Sequence, residues 1–200
     1  MQRKALGKMG KLAENLTAGS LIMEAFLRLL KEKPFTDITV HEIAGKAGIS
    51  RSVFYLHFED KDDVFQKVSG EIIGEFLQLF DSYLEVEERG RAGQTGGVLQ
   101  AAGKICHHIR DYHFFYQEGF RDLSFITGWA EHIFSRLQRI YNDQAKGIFV
   151  AYGLVGCMNR WISEGAKGSP KERARQFVEV FSFLLDVGKE KGNLGSTVTY

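Results

Sequence analysis

The chain has 200 residues, of which 44% are hydrophobic and 26% charged; it is long enough to bury a core and too apolar to be disordered throughout. The formal net charge of +1 hides an asymmetry, with ten Lys/Arg against seven Asp/Glu from Met1 to Lys61 and sixteen against eighteen beyond, which suggests a polyanion-binding head on a mildly acidic body. Two cysteines exclude a disulfide framework, no apolar run nears the roughly 18 residues of a membrane span, and the basic start MQRKALGKMGKL lacks the apolar stretch of a secretory signal, so a cytoplasmic location with no membrane partner is expected.

Two Pro favour long helices and 22 Gly oppose them, so the glycines must mark joints or serve close packing. Leu21, Ile22, Ala25, Phe26, Leu29 and Leu30 recur at helical spacing and predict a first helix from about Leu16 to Lys33, ended by Pro34. Thr39 with Glu42 forms a capping box that opens a second, short helix carrying Val40, Ile43, Ala44 and Ala47 on its inner side, and Gly48 stops it. Ser50 caps a third helix, Arg51 to about His57, with Phe54 and Phe58 directed inward. Asp60 caps a fourth, from Lys61 to about Glu88. RGRAGQTGG, residues 89–97, is a predicted loop. Helical patterns follow over about Val98–Tyr112, Asp122–Ile140, Asp143–Gly165 and Pro170–Lys191, with HFFYQEGF as a short helix or turn among them. No strand is predicted. The expected fold is all-α, with a three-helix head over residues 1–61, a helical body over 62–192 and a frayed tail over 193–200.

Two short helices joined by a glycine turn form the core of a helix-turn-helix. Ala44, Ala47, Gly48 and Ile49 are small or apolar where such helices cross. The outward face of the second helix carries Arg51, Ser52, Val53, Tyr55 and Leu56. Arg51 can donate twice to guanine, Ser52 can serve several bases or a phosphate, and Val53 can touch a thymine methyl in a groove about 12 Å wide. Tyr55, Ser50, Thr39 and Lys61 suit phosphate oxygens. Taken singly, Ser50 and Thr39 are equally explained as caps, Tyr55 as a half-buried tyrosine and Lys61 as an exposed first-turn residue.

Taken together as ITVHEIAGKAGISRSVFYLHFEDK, Ile38 to Lys61, these residues resemble the DNA-binding signature of the TetR family of bacterial transcriptional regulators. The resemblance extends from Leu21 to about Phe65 and includes Lys33, Pro34 and Phe35 ahead of Ile38 and Thr39. It implies that Ser50, Tyr55 and Lys61 hold phosphates, that His57 helps fix the recognition helix, that Thr39 caps and touches the DNA backbone, and that Arg51, Ser52 and Val53 lie near bases. Val53 stands where many members carry Thr, and Leu56 where a polar or aromatic residue is common. The resemblance further implies a body that binds a small effector, without a cofactor, and a homodimer formed through the last two helices.

In the body, Tyr112, Phe115, Tyr116, Phe125, Trp129 and Tyr152 either line an effector pocket with Tyr and His as orienting groups, or fill a packed core. Cys106, His107, His108 and His113 do not make a metal site, because adjacent helical residues point about 100° apart. No nucleophile motif or phosphate-cradling glycine loop occurs, so an enzyme is not expected. Phe149, Gly153 and Cys157 on one helix and Phe177, Phe181 and Leu184 on the last are the expected dimer face, unless both stripes bury within one subunit. Gly153 and Gly156 would permit close helix approach there, and Gly128 would mark a break beside the pocket. A dimer sets two recognition helices roughly 34–36 Å apart, which calls for a near-palindromic operator. The expected function is a ligand-responsive DNA-binding regulator, a repressor that releases its operator when an effector binds. The competing possibility is a helical small-molecule-binding or interaction protein without specific DNA binding.

Overall fold

A computed structural model of the chain describes residues 17–91, 97–141 and 143–189, with side chains through residue 183 in the last segment. Nine α-helices and a 3-10 turn (Phe35–Asp37) make up the described residues, which contain no strand: α1 (Ala18–Glu32), α2 (Val40–Ala47), α3 (Arg51–Tyr55), α4 (Lys61–Arg91), α5 (Val98–Asp111), α6 (His113–Gly119), α7 (Leu123–Leu137), α8 (Gln144–Ser163) and α9 (Pro170–Lys189). None of the described helices is long and apolar enough to cross a membrane. The chain divides into two compact units between Glu71 and Ile72, within α4.

In the first unit α1 packs on α2 and α3. The apolar stripe of α1 (Ile22, Ala25, Phe26, Leu29, Leu30) is its buried face, as its 3.6-residue period requires. Phe26 meets Phe35 and Phe65 edge-on at 6.0 and 6.3 Å, which closes the core around the turn after Pro34. The capping box at Thr39 is complete, with Thr39 N–H donating to Glu42 Oε2 at 3.1 Å and Glu42 N–H donating to Thr39 Oγ1 at 3.3 Å. Gly48 ends α2 at φ 71°, and the Ile49 amide donates back to the Ala44 carbonyl at 3.0 Å. The third helix is shorter than its pattern predicts. It stops at Tyr55 because the His57 and Phe58 amides both return to the Phe54 carbonyl, at 2.9 and 3.0 Å, and turn the chain toward Asp60.

In the second unit α5 pairs with α9, and α8 packs on α7 and α6. Phe80 and Tyr83 of α4 meet Phe181 of α9 at 6.0 and 5.3 Å, and Phe76 meets Trp129 of α7 at 5.0 Å. HFFYQEGF forms the short helix α6, and a Cβ on Gly119 would lie 2.6 Å from the Phe125 ring, so glycine is what allows the end of α6 to close on α7. Helix α7 runs unbroken through Gly128, so the predicted break is absent. Helix α4 also continues through Arg89 and Gly90 to Arg91, beyond its expected end and into the predicted loop. Residues 92–96 and the predicted tail, 193–200, lie outside the described residues.

A Cβ at Gly48 would meet nothing within 4 Å, so only its backbone conformation demands glycine. Gly48→Ala is expected to destabilise the head by about 1–2 kcal/mol through the left-handed φ, and Gly48→Asn by less. Denaturant unfolding of the two variants checks this; an unchanged midpoint for the alanine variant would contradict it.

Candidate nucleic-acid interface and body cavity

The residues expected at the DNA face lie at the N-cap of α2 (Thr39), on α3 and its flanks (Ser50, Arg51, Ser52, Val53, Tyr55 and His57) and at the start of α4 (Lys61). Ser50 caps α3, its hydroxyl accepting from the Val53 amide at 3.2 Å, and Thr39 caps α2. Both hydroxyls are therefore already engaged in holding the two helices. Phe54 is fully buried beneath α3, whereas Arg51 and Ser52 are exposed, Val53 is half-buried and Tyr55 is 52% exposed. Leu56 is 80% exposed just past the helix end. The Arg51 guanidinium has no hydrogen bond or ion pair among the described residues, so its five donors are open to solvent. His57 is exposed, with Nδ1 3.7 Å from where a Cβ on Gly19 would stand, and so lies beside the first turn of α1.

Lys61 has partners within the chain. Its ammonium donates to the carbonyls of Phe35, Thr36 and Ile38 at 2.9, 3.2 and 3.0 Å, and it lies 4.6 Å from the centre of the Phe35 ring. Three N–H donors meet three acceptors, so the side chain clamps the start of α4 to the turn ahead of α2. Two further ion pairs, which residue spacing could not reveal, brace the same region. Lys33 bonds Glu42 at 2.6 Å and the Asp37 carbonyl at 2.8 Å, and Lys46 of α2 bonds Glu32 of α1 at 2.6 Å. The Lys33 ammonium, then the Thr39 hydroxyl and amide, hold the Glu42 carboxyl down to about 2 from its ordinary 4.5.

The six aromatics proposed for an effector pocket are spread between core, cluster edge and surface. Phe115, Tyr116 and Trp129 are core, with Tyr116 stacked on Trp129 at 4.9 Å and Trp129 only 1% exposed. Tyr112 and Phe125 are half-buried at the edge of this cluster, and Tyr152 is exposed on α8. His108 is buried here, with Nε2 2.9 Å from the Tyr116 hydroxyl, and burial pushes its imidazole down to about 4. His107 instead meets Arg110, and His113 the Arg110 carbonyl. Among the described residues no group of three or more His, Cys, Asp or Glu is placed to hold a metal ion.

A cavity of about 340 Å³ lies elsewhere in the body, between α5, α8 and α9. Its wall is largely apolar, from Ile105, Ile109, Leu154, Met158, Trp161 and Phe177, with Arg173, Gln176 and Glu179 of α9 as polar residues and both cysteines alongside. None of the six expected pocket residues lines it. No sequence period distinguishes this wall from core, because the same apolar residues serve both.

The expected dimer face is only partly outward. Phe149 is 72% exposed, and Gly153 and Cys157 share its exposed side of α8. Gly153 and Gly156 have no neighbour within 4 Å of an added Cβ in their own chain. Phe181, however, is fully buried against Phe80 and Tyr83 and stacked on Phe177, so it belongs to the subunit core. Val180 and Phe183 carry the outward apolar surface of α9 instead, and the side chain of Leu184 lies outside the described residues.

A capped helix, a left-handed glycine turn and a second short helix with an exposed polar face define a helix-turn-helix protein. Residues 22–68 match the family described as bacterial regulatory proteins, tetR family. It is 36% identical over 172 residues to the uncharacterized HTH-type transcriptional regulator YxbF of Bacillus subtilis (strain 168), a match that covers 83% of this chain and 45% of that protein. The chain thus spans less than half the length of that curated relative. Its fold is similar to that of the fatty acid degradation regulator FadR from Bacillus halodurans, with a TM-score of 0.63 at 16% identity over 88% of this chain and 99% of that one. It is also similar to the dihydroxyacetone kinase operon activator DhaS, with a TM-score of 0.60 at 17% identity over 86% and 97% of the two chains.

Because the carboxyl of Glu42 titrates below its ordinary range, its contribution to head stability is fully present above pH 4.5 and is lost as the pH falls from 4.5 toward 2. Glu42→Gln is expected to lower stability at pH 7 and to flatten the loss across that window. Urea unfolding at pH 7, 4.5 and 2.5 reads both effects; parallel pH profiles for variant and parent would contradict the assignment.

Proposed function

We propose that the protein is a homodimeric, ligand-responsive transcriptional regulator that represses by binding a near-palindromic DNA operator through α3. The observation that carries this reading is the coincidence of the family match, residues 22–68, with a head whose α3 buries Phe54 and leaves Arg51, Ser52 and Tyr55 exposed and Arg51 unpaired. Arg51 and Ser52 read base edges, with Val53 near them, while Thr39, Ser50 and Tyr55 face phosphates. His57, beside α1, helps hold α3 in place. Lys61 acts through position, by fixing the turn from which α2 and α3 start.

Support for the dimer comes from Phe149, Tyr152, Val180 and Phe183, large apolar residues left exposed on α8 and α9. Cys157 and Val180 are exposed and also line the body cavity, so a ligand there would bear on the surface where two copies meet. A ligand that empties the operator must favour the non-binding arrangement by about 5.5 kcal/mol.

Competition binding at fixed salt against the DNA upstream of its own gene tests the reading; upstream fragments that bind no better than random DNA would overturn it. Arg51→Ala is expected to lose about 1–3 kcal/mol of discrimination at one base-pair position while retaining non-specific binding. Lys61→Met is expected to weaken all sequences alike with an unchanged salt slope, because its ammonium is bonded to carbonyls; a slope reduced by about 1 would instead reveal a phosphate contact. Phe183→Glu is expected to give monomers in sedimentation equilibrium and to lose operator affinity.

A further inference from the structure

We infer that the cavity between α5, α8 and α9 takes an apolar molecule bearing a single carboxylate, with Arg173 as its anion partner. The wall supplied by Ile105, Ile109, Leu154 and Met158 is apolar and spacious enough, at about 340 Å³, for a small ligand. Set into it is a guanidinium that is permanently charged. Its central carbon lies 5.3 Å from the centre of the Trp161 ring, which holds the group by a cation–π contact. Yet Arg173 makes no side-chain hydrogen bond or ion pair among the described residues, although it is half-buried. Five N–H donors on a cation at the edge of an apolar cavity match a carboxylate, which accepts two of them in parallel. A neutral apolar ligand would leave that charge further desolvated and still unpaired, which costs free energy.

Glu179 sharpens the assignment. It lines the same cavity from α9, is exposed, and forms no ion pair with Arg173. A carboxylate arriving at Arg173 meets Glu179 as a like charge, whereas a cationic ligand would be drawn to it. Removal of Glu179's charge therefore has opposite signs for the two ligand classes.

The test uses decanoate, decan-1-ol and decylamine as probes, with affinities read by isothermal titration calorimetry on the full chain. Decanoate is expected to bind at least tenfold tighter than decan-1-ol, and Arg173→Gln to remove that advantage while leaving decan-1-ol affinity unchanged. Arg173→Lys is expected to restore part of the advantage, and Glu179→Gln to tighten decanoate binding. Equal affinities for acid and alcohol, a preference for decylamine, or decanoate binding that survives Arg173→Gln would each overturn the inference. So would loss of both ligands in Arg173→Gln without partial rescue of decanoate by Arg173→Lys. The regulatory consequence rests on the effector reading of the body. If decanoate binds through Arg173 yet leaves operator affinity unchanged, the ligand class stands and the effector reading falls. If decanoate does not bind while another small molecule releases DNA, the ligand class falls and the effector reading stands.

Discussion

The placement of α2 and α3 depends on one half-buried electrostatic joint. The Lys61 ammonium gathers three carbonyls of the segment between α1 and α2, and the same segment is tied from the other side by Lys33 through Glu42 and the Asp37 carbonyl. Between these clamps the chain must leave α1, make one 3-10 turn and enter α2 at Thr39. The Phe35 carbonyl already accepts from the Ile38 amide at 3.1 Å, and Lys61 adds a charged donor to it and to the Thr36 and Ile38 carbonyls. Once α2 is fixed, Gly48 and Ser50 leave α3 little freedom, and Phe54 pins it from beneath. A five-residue helix has negligible stability alone. The proposed reading of bases by Arg51 therefore rests on neighbours that hold the helices in place.

The body follows a different logic. Its aromatic residues are concentrated in a stacked and edge-on cluster around Trp129, which gives the second unit its core. Its cavity is assembled from aliphatic residues of α5 and α8 and the polar residues of α9. Cys157 and Val180 belong both to that wall and to the exposed surface, so no rigid layer separates the cavity from the proposed dimer face. A ligand need only change how α8 and α9 pack to alter what a second copy meets. Interfaces of this kind are bistable rather than continuously deformable, which is how a small local shift becomes a change in spacing.

Most of the head was legible because its signals are local. Capping at Thr39 and Ser50, the glycine stop at Gly48 and the inward Phe54 each depend on residues a few positions apart, and the helix-turn-helix follows from them. The clamp by Lys61 was not legible, because its acceptors are main-chain carbonyls 23 to 26 residues away, which carry no side-chain signature. In the body the helices were legible from their period but the site was not. Period separates inside from outside; it does not distinguish Phe115, which fills the core, from Ile109, which lines the cavity. Phe181 shows the same limit, since a residue on an apolar stripe can face its own subunit or another, and here it faces Phe80 and Tyr83. Arg173 was missed because a lone arginine in a charged helical segment looks solvated until Trp161 and the cavity are seen beside it.

In the proposed complex two copies of α3 occupy successive major grooves. Hydroxyl-radical footprinting of the protein on its upstream DNA measures this directly. Two protected half-sites are expected on one face of the duplex, with centres about one helical turn, roughly 34–36 Å, apart or a whole multiple of it. A single protected patch, or uniform protection with no half-site spacing, would contradict it.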